Sequence, residues 1–504
     1  MIAQNSAIMY FRLIITTLIG LYSSRLLLSE LGAAQFGLYS LIGGVITLLN
    51  ILNTTMISTS NRFIALQIGR NNLIELNKIF NTLLVVHLIF GIVLLLLVEI
   101  LGVWYVKNYL NLGGININDA LFVLHTTAFG AILTTLVIPY QGLVTAYEKF
   151  NFKAFTEVLN SLLNLAAILI LTKVELDKLR FYALIILFVQ GIISSIYVFY
   201  GFLKHKNIIT FNLNKNFKDY IDVSKFFTWQ LTYLVGSVTT RQGGAIVMNS
   251  FFGTVVNAAY GLGSRIFEFV YAFVKNLNQV ALPQIMKSYS SGNTERGLTL
   301  IYRLSKYTYF IMLIPAFPIM LSMDFILKIW LKEVPPFTGY FAIFMIIHGL
   351  VSCLESGFDG FIDASGRIKN TKLFFSILFP SSLFFVYILY KFNFPPYTFT
   401  ILLIICEIIF LIYQTFVLRS ISNFDIRLYN SQTILPVLLV NIFLVPLWII
   451  KYFLHDNLFN FMFISIISIT VTLFAVYFIG LDKNEKDILR KSLSWYILKI
   501  SNKE

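Results

Sequence analysis

S-R-L-L-L-S-E-L-G-A-A-Q-F-G-L-Y, residues Ser24 to Tyr39, is the stretch that decides the fold, because the chain uses its pattern twice. After it come a long apolar run and N-T-T-M-I-S-T-S-N-R-F-I-A-L-Q-I-G-R-N, Asn53 to Asn71. Far downstream the pattern returns as S-F-F-G-T-V-V-N-A-A-Y, Ser250 to Tyr260. An apolar run follows, then Pro283 and S-Y-S-S-G-N, Ser288 to Asn293. Gly32 precedes Tyr39 by seven positions, and Gly253 precedes Tyr260 by seven, so an offset of about 221 relates the copies. Each copy reads as a helix pair closed by a polar, basic turn. Two such halves imply two lobes able to rock against each other.

Composition sets the solvent. Of 504 residues, 58% are hydrophobic and 12% charged, and the mean hydropathy is +0.79. A water-soluble domain cannot hide that much apolar surface, so the chain reads as an all-α polytopic membrane protein. The net charge of +14 does not point to nucleic acid, because Lys and Arg sit at the ends of apolar runs rather than in one patch. Cys353 and Cys406 both fall inside apolar runs and read as inert thiols. The start, M-I-A-Q-N-S, lacks a basic n-region and a small-residue cleavage site, so Phe11 onward reads as a retained helix.

Runs of about 20 apolar residues occur at 11–29, 36–60, 80–106, 119–143, 155–173, 180–203, 226–250, 254–283, 303–330, 337–362, 371–392, 397–418, 431–453 and 457–480, fourteen expected crossings. With the N-terminus inside, 26 Lys and Arg fall in cytoplasmic segments and 8 outside, which sets the expected orientation, with both termini cytoplasmic. The expected organisation is an N-lobe at 1–203, a cytoplasmic linker at 204–225, a C-lobe at 226–420 and two appended helices at 421–480. A basic tail at 481–504 completes it. Ile488, Leu489, Leu493, Tyr496, Ile497 and Ile500 share one helical face there, as in a helix lying on the inner membrane surface; a disordered basic tail is the alternative. Pro139, Pro315, Pro318, Pro380, Pro436 and Pro446 fall inside crossings, where proline is tolerated.

Four cations remain at membrane depth: Arg25, Arg241, Arg265 and Lys275. A charge there costs a few kcal/mol and ordinarily faces a cavity or a partner. Converging on one cleft, they would bind an anion, and the planar Arg fork suits phosphate oxygens. The plainer alternatives are that Arg25 snorkels to the outer surface and that Arg265 pairs with Glu268. Glu355, Asp359 and Asp363, spaced i, i+4 and i+8, read as a carboxylate ladder. Glu355 and Asp359 are the candidates for coupling to Na+ or H+, and Asp363 stands four residues from Arg367 as a surface pair. Glu99 and Glu407 read as isolated, and His87 and His348 as satisfied core residues. There is no phosphate-loop motif, no metal motif and no external loop long enough for a catalytic domain. These point away from an enzyme and from any bound cofactor.

The Arg25–Gly44 and Asn53–Asn71 stretches, with I-D-A-S-G-R-I-K-N from Ile362 to Asn370, resemble the bacterial polysaccharide flippases. These are the O-antigen and capsule exporters of the multidrug/oligosaccharidyl-lipid/polysaccharide (MOP) superfamily, which also holds the MATE drug/cation antiporters. The resemblance implies two six-helix lobes and a polyprenyl-diphosphate oligosaccharide as substrate. It also implies cavity-facing arginines at Arg25 and Arg265, and a lipid-tail groove at the two last helices. Polymerases and glycosyltransferases of the same pathway would be partners. Asp363 departs from the small or polar residue expected before the A-x-G turn. A cation-coupled multidrug antiporter is the second reading; a membrane polymerase or ligase is a third.

Overall fold

The computed structural model describes residues 2–108, 116–173, 177–331, 334–455 and 457–487. Among them the regular structure is helical. In order it runs α1 (Ile2–Gly69), α2 (Leu73–Leu97), α3 (Val103–Asn108), α4 (Ile117–Ala146), α5 (Phe150–Leu171), α6 (Lys178–Lys204), α7 (Lys206–Ile209), α8 (Phe217–Ser290) and α9 (Thr294–Leu321). It continues with α10 (Met323–Trp330), α11 (Thr338–Cys353), α12 (Phe358–Ser365), α13 (Lys369–Lys391), α14 (Thr398–Ile421), α15 (Ile426–Tyr429), α16 (Leu435–Tyr452) and α17 (Leu458–Ala475). Wider π turns at Val98–Gly102, Asn430–Ile434 and Val476–Gly480 interrupt or extend these helices. Apolar side chains fit this form because a helix satisfies its own backbone, as lipid demands.

Among the described residues nine helices are long and apolar enough to cross a membrane, and the bent pair α11–α12 makes a tenth. These ten coincide with the expected crossings at 80–203 and 303–480. The other four expected crossings fall within α1 and α8, which that count does not include. At 68 and 74 residues, each is far longer than the roughly 20 residues of one crossing. In α8 the reason is visible: Gly253 has φ 77° and ψ −172°, outside the helical region, and breaks the helix where the second repeat copy places its glycine. No β-carbon neighbour crowds that position, so conformation alone demands glycine there.

Helix starts are fixed locally. Asn72 accepts from the Glu75 amide at 3.0 Å, Asp177 from those of Leu179 and Arg180, and Asn457 from that of Asn460. Each satisfies an orphan N–H of the first turn. The helices run on through Pro139, Pro315, Pro318, Pro380 and Pro446.

Packing divides the chain into two compact units. The first comprises 1–235, 282–293 and 363–373; the second comprises 236–281, 294–362 and 374–504. In the first unit Ile64, Phe80, Leu83, Leu143 and Ala146 form a core with Ile208, Ile209 and Val223. The segment read as a linker, 204–225, is therefore packed: Asn77 Nδ2 donates to the carbonyls of Ile208 and Thr210, and Asn81 Nδ2 to that of Thr210. In the second unit Val270 and Val274 of α8, Met312 and Ala316 of α9, and Ile346 of α11 share one core with Val440 and Leu444 of α16 and Ile464 of α17. The last two helices, read from sequence as an appendage, complete that core. Close backbone approach does part of the work, as between membrane helices generally: a β-carbon on Gly263 would lie 2.9 Å from the Ala342 nitrogen. The surface face expected at Ile488–Ile500 lies outside the described residues.

Candidate functional site: ionisable residues among the apolar helices

Arg241, Arg265 and Lys275 all lie on α8, in the second unit, with exposed side chains. None makes an ion pair with another of the described residues. In particular Arg265 does not pair with Glu268, so that alternative is set aside. Arg241 acts electrostatically on Tyr260, across the Gly253 break. The Lys275 ammonium lies 5.8 Å from the centroid of Tyr271, one turn earlier on the same helix. Arg25 lies in α1, and its side chain is outside the described residues.

Glu355 sits in a break. α11 ends at Cys353, α12 starts at Phe358, and the two are bent by 49°. Gly357, at φ 89°, turns the chain there. The carboxylate ladder of the sequence reading therefore does not exist as one helical face, because Glu355 precedes the bend while Asp359 and Asp363 follow it. The carbonyls freed by the break are taken by side chains: Thr308 Oγ1 donates to Cys353 O at 3.0 Å, Tyr429 OH to Leu354 O at 2.6 Å and Ser305 Oγ to Ser356 O at 3.0 Å. A broken helix at membrane depth needs such partners and is where transporters place binding groups. Glu355 and Glu407 both act on Tyr271, so Lys275 and Glu355 are gathered around one tyrosine. Asp359 lies past the turn on α12, partly buried.

Asp363 belongs to the first unit. It is buried and does not serve as a surface partner of Arg367. Its Oδ2 accepts from Gln230 Nε2 at 3.0 Å, and Lys372 Nζ lies 3.8 Å from Oδ1. Its backbone carbonyl accepts from Arg62 Nε. The Arg62 guanidinium lies over two rings that meet edge-on, 4.6 Å from Phe63 and 4.5 Å from Phe226. Burial pushes it down to about 10 and Asp363 pulls it back up, so it stays charged at neutral pH. In the same unit Glu148 accepts from Lys287 Nζ and Gln284 Nε2, both at 2.8 Å.

Two pairings were invisible in the sequence. Glu99, read as isolated, lies 2.7 Å from His125 Nδ1, and Glu407, also read as isolated, lies 3.1 Å from His348 Nε2. The one local cue is that Glu99 stands in a π turn, a feature common at functional sites. Nothing in the chain near Glu407 signals its partner.

No known protein-family profile matches the chain, and no curated protein matches it. Solved structures do. A MATE transporter in its bent conformation superposes with TM-score 0.73 at 13% identity, covering 84% of this chain and 96% of the other. An outward-facing multidrug resistance MATE transporter of the MOP superfamily gives 0.69 at 15% identity over 84% and 96%. A MOP-superfamily transporter from Pyrococcus furiosus gives 0.68 at 14% identity over 83% and 94%. The chain therefore has the all-helical, multi-pass fold of the MATE and MOP-superfamily transporters.

Proposed function

We propose that this chain is a transporter and not an enzyme: a flippase that moves a polyprenyl-diphosphate-linked oligosaccharide from the cytoplasmic to the outer leaflet of a bacterial inner membrane. Both termini would be cytoplasmic. The observation that carries the reading is the set of exposed cations, Arg241, Arg265 and Lys275, on the apolar α8, which make no ion pair among the described residues. Intramembrane charge is costly and is kept where it meets a ligand of opposite sign. A diphosphate supplies that sign, and the guanidinium fork matches its oxygens. Binding-pocket polarity varies within this fold: in the Pyrococcus furiosus transporter, reversed polarity suggests a different function. Arg25, of the first repeat copy, is the further candidate for binding the diphosphate. The lipid tail would stay in the bilayer while the glycan crosses. Polymerase and glycosyltransferases of the pathway would be its partners.

The second reading, a cation-coupled multidrug antiporter, draws on the likeness to multidrug resistance MATE transporters. One experiment separates the two. In cells that make a surface glycan through this protein, Arg25→Ala with Arg265→Ala abolishes surface glycan and leaves lipid-linked glycan on the inner leaflet, with the protein still inserted. Normal export by that double variant overturns the flippase reading. Loss of efflux of cationic drugs with glycan export unchanged establishes the antiporter instead.

A further inference from the structure

We infer that a cavity at one end of the second unit binds a saccharide, gripped by aromatic rings on its C–H face and by charged side chains on its hydroxyls. The cavity lies where α9, α10, α11 and the end of α16 meet, and its volume is about 680 Å³. That is within the size range of small-molecule sites. The expected orientation puts this end outside, where a carried glycan would emerge. The inference rests on the flippase reading for where the sugar comes from.

The aromatic wall is built in advance. Phe337 has φ 69° and ψ −2°, the left-handed geometry that the third position of a type II turn needs and that glycine ordinarily supplies. Pro336 presets the position before it, and the Thr338 amide and Oγ1 both donate to the Pro335 carbonyl, at 3.3 and 2.7 Å. A phenylalanine held there is strained, and strain of this kind collects at ligand clamps. Tyr340 stacks on Tyr397 at 4.9 Å, and Trp448 meets Phe317 edge-on at 6.2 Å. Phe337, Tyr340 and Trp448 all line the cavity and all are exposed.

Charge decides which ligand fits. Asp324 stands beside the first turn of α11, its Oδ1 3.5 Å from where a β-carbon on Gly339 would lie. It is exposed and makes no ion pair with another described residue. Lys451 and His455 line the same cavity. The acid opposes a phosphate or other anion, and the ammonium opposes an organic cation in what would otherwise be an aromatic cage. Hydroxyls satisfy both charges, because a hydroxyl donates to a carboxylate and accepts from an ammonium. The faces of the rings carry the negative side of the aromatic quadrupole and pack against C–H groups. A neutral ligand with many hydroxyls and an apolar C–H face is a saccharide.

The test uses the full chain in lipid nanodiscs and saturation-transfer NMR titrations with chitotriose, maltotriose and mannotriose, and with tetraphenylphosphonium as an organic cation. At least one trisaccharide is expected to bind. Trp448→Ala and Asp324→Asn should each weaken it about tenfold, the loss of one ring contact or one charged hydrogen bond. Trp448→Phe, which keeps a ring, should restore most of the affinity. Phe337→Gly should weaken binding while the thermal midpoint holds or rises, because it removes a ring and relieves the turn; a variant that merely misfolds does the reverse. Trp104→Ala, in α3, should change nothing. The Arg25→Ala, Arg265→Ala variant should bind sugar as the unaltered protein does, so this inference and the flippase reading fail separately. In cells, slowed glycan export by Trp448→Ala identifies the carried glycan as the occupant, and unchanged export identifies a saccharide already outside. Binding of none of the sugars, sugar binding indifferent to Trp448→Ala, or tetraphenylphosphonium bound in their place and lost in Asp324→Asn overturns the inference.

Discussion

Arg62 Nε donates to the backbone carbonyl of Asp363, a residue 301 positions further along the chain. The contact ties the end of α1 to the last turns of α12, and the rings of Phe63 and Phe226 both pack against the same guanidinium. Both sequence copies of the polar, basic turn contribute to this region. Gly69 of the first lies against Ser290 of the second, where a β-carbon would come 1.8 Å from the Ser290 hydroxyl.

Arg62→Ala should cost about 2–3 kcal/mol, the sum of a charge-assisted hydrogen bond and a cation–π contact. Arg62→Lys should recover less than half, because an ammonium lacks the planar face that packs on a ring while its edge N–H groups donate. Thermal unfolding in detergent reads both. An unchanged midpoint for Arg62→Ala would show that the contact contributes nothing.

Gly253→Ala should destabilise by about 1–3 kcal/mol, the range for forcing a side chain into backbone geometry that only glycine adopts readily. Nothing lies within 4 Å of the added carbon, so the effect is backbone strain rather than a clash. Gly253→Asn should not rescue, since asparagine tolerates the left-handed helical region but not ψ near −172°. The measurement is the thermal midpoint of each purified variant.

Lys306 and Glu485 form a buried ion pair at 2.7 Å, with side chains 4% and 1% exposed. Either Lys306→Met or Glu485→Gln alone should cost about 3–5 kcal/mol, because each strands a buried charged partner. The double variant should be milder than the sum of the singles. Glu485 also accepts from the Asp482 amide at 2.8 Å, so the single changes should raise hydrogen exchange across 481–487. Additive costs would count against a coupled pair.

His205 stacks on Tyr147 at 4.4 Å between ring centroids. Burial, then the charge of Lys149, lowers it from its ordinary value of 6.5. A lowered value means the unfolded segment binds the proton more tightly. The contribution to stability is therefore complete above pH 6.5 and is lost as pH falls through the lower folded value. Hydrogen exchange of 204–216, corrected for its intrinsic pH dependence, should rise on acidification from about pH 7.5 to pH 5. His205→Phe should flatten that response.

The sequence by itself determined the solvent, the helical class and the position of most crossings. Those follow from local quantities: apolar run length and the need of each segment to satisfy its own backbone. It also placed the glycine whose φ of 77° breaks α8, because the repeat marks Gly253 directly. What only the tertiary structure decided was which ionisable side chains meet. His348 finds Glu407, His125 finds Glu99, and Arg62 reaches Asp363, each from a different helix or turn. The carboxylates at 355, 359 and 363 looked continuous because helical spacing was assumed through a segment that bends by 49°. Periodicity describes one helix at a time. Pairing between helices depends on their rotation and offset, set by packing such as Gly263 against Ala342, and no run of neighbouring residues records it.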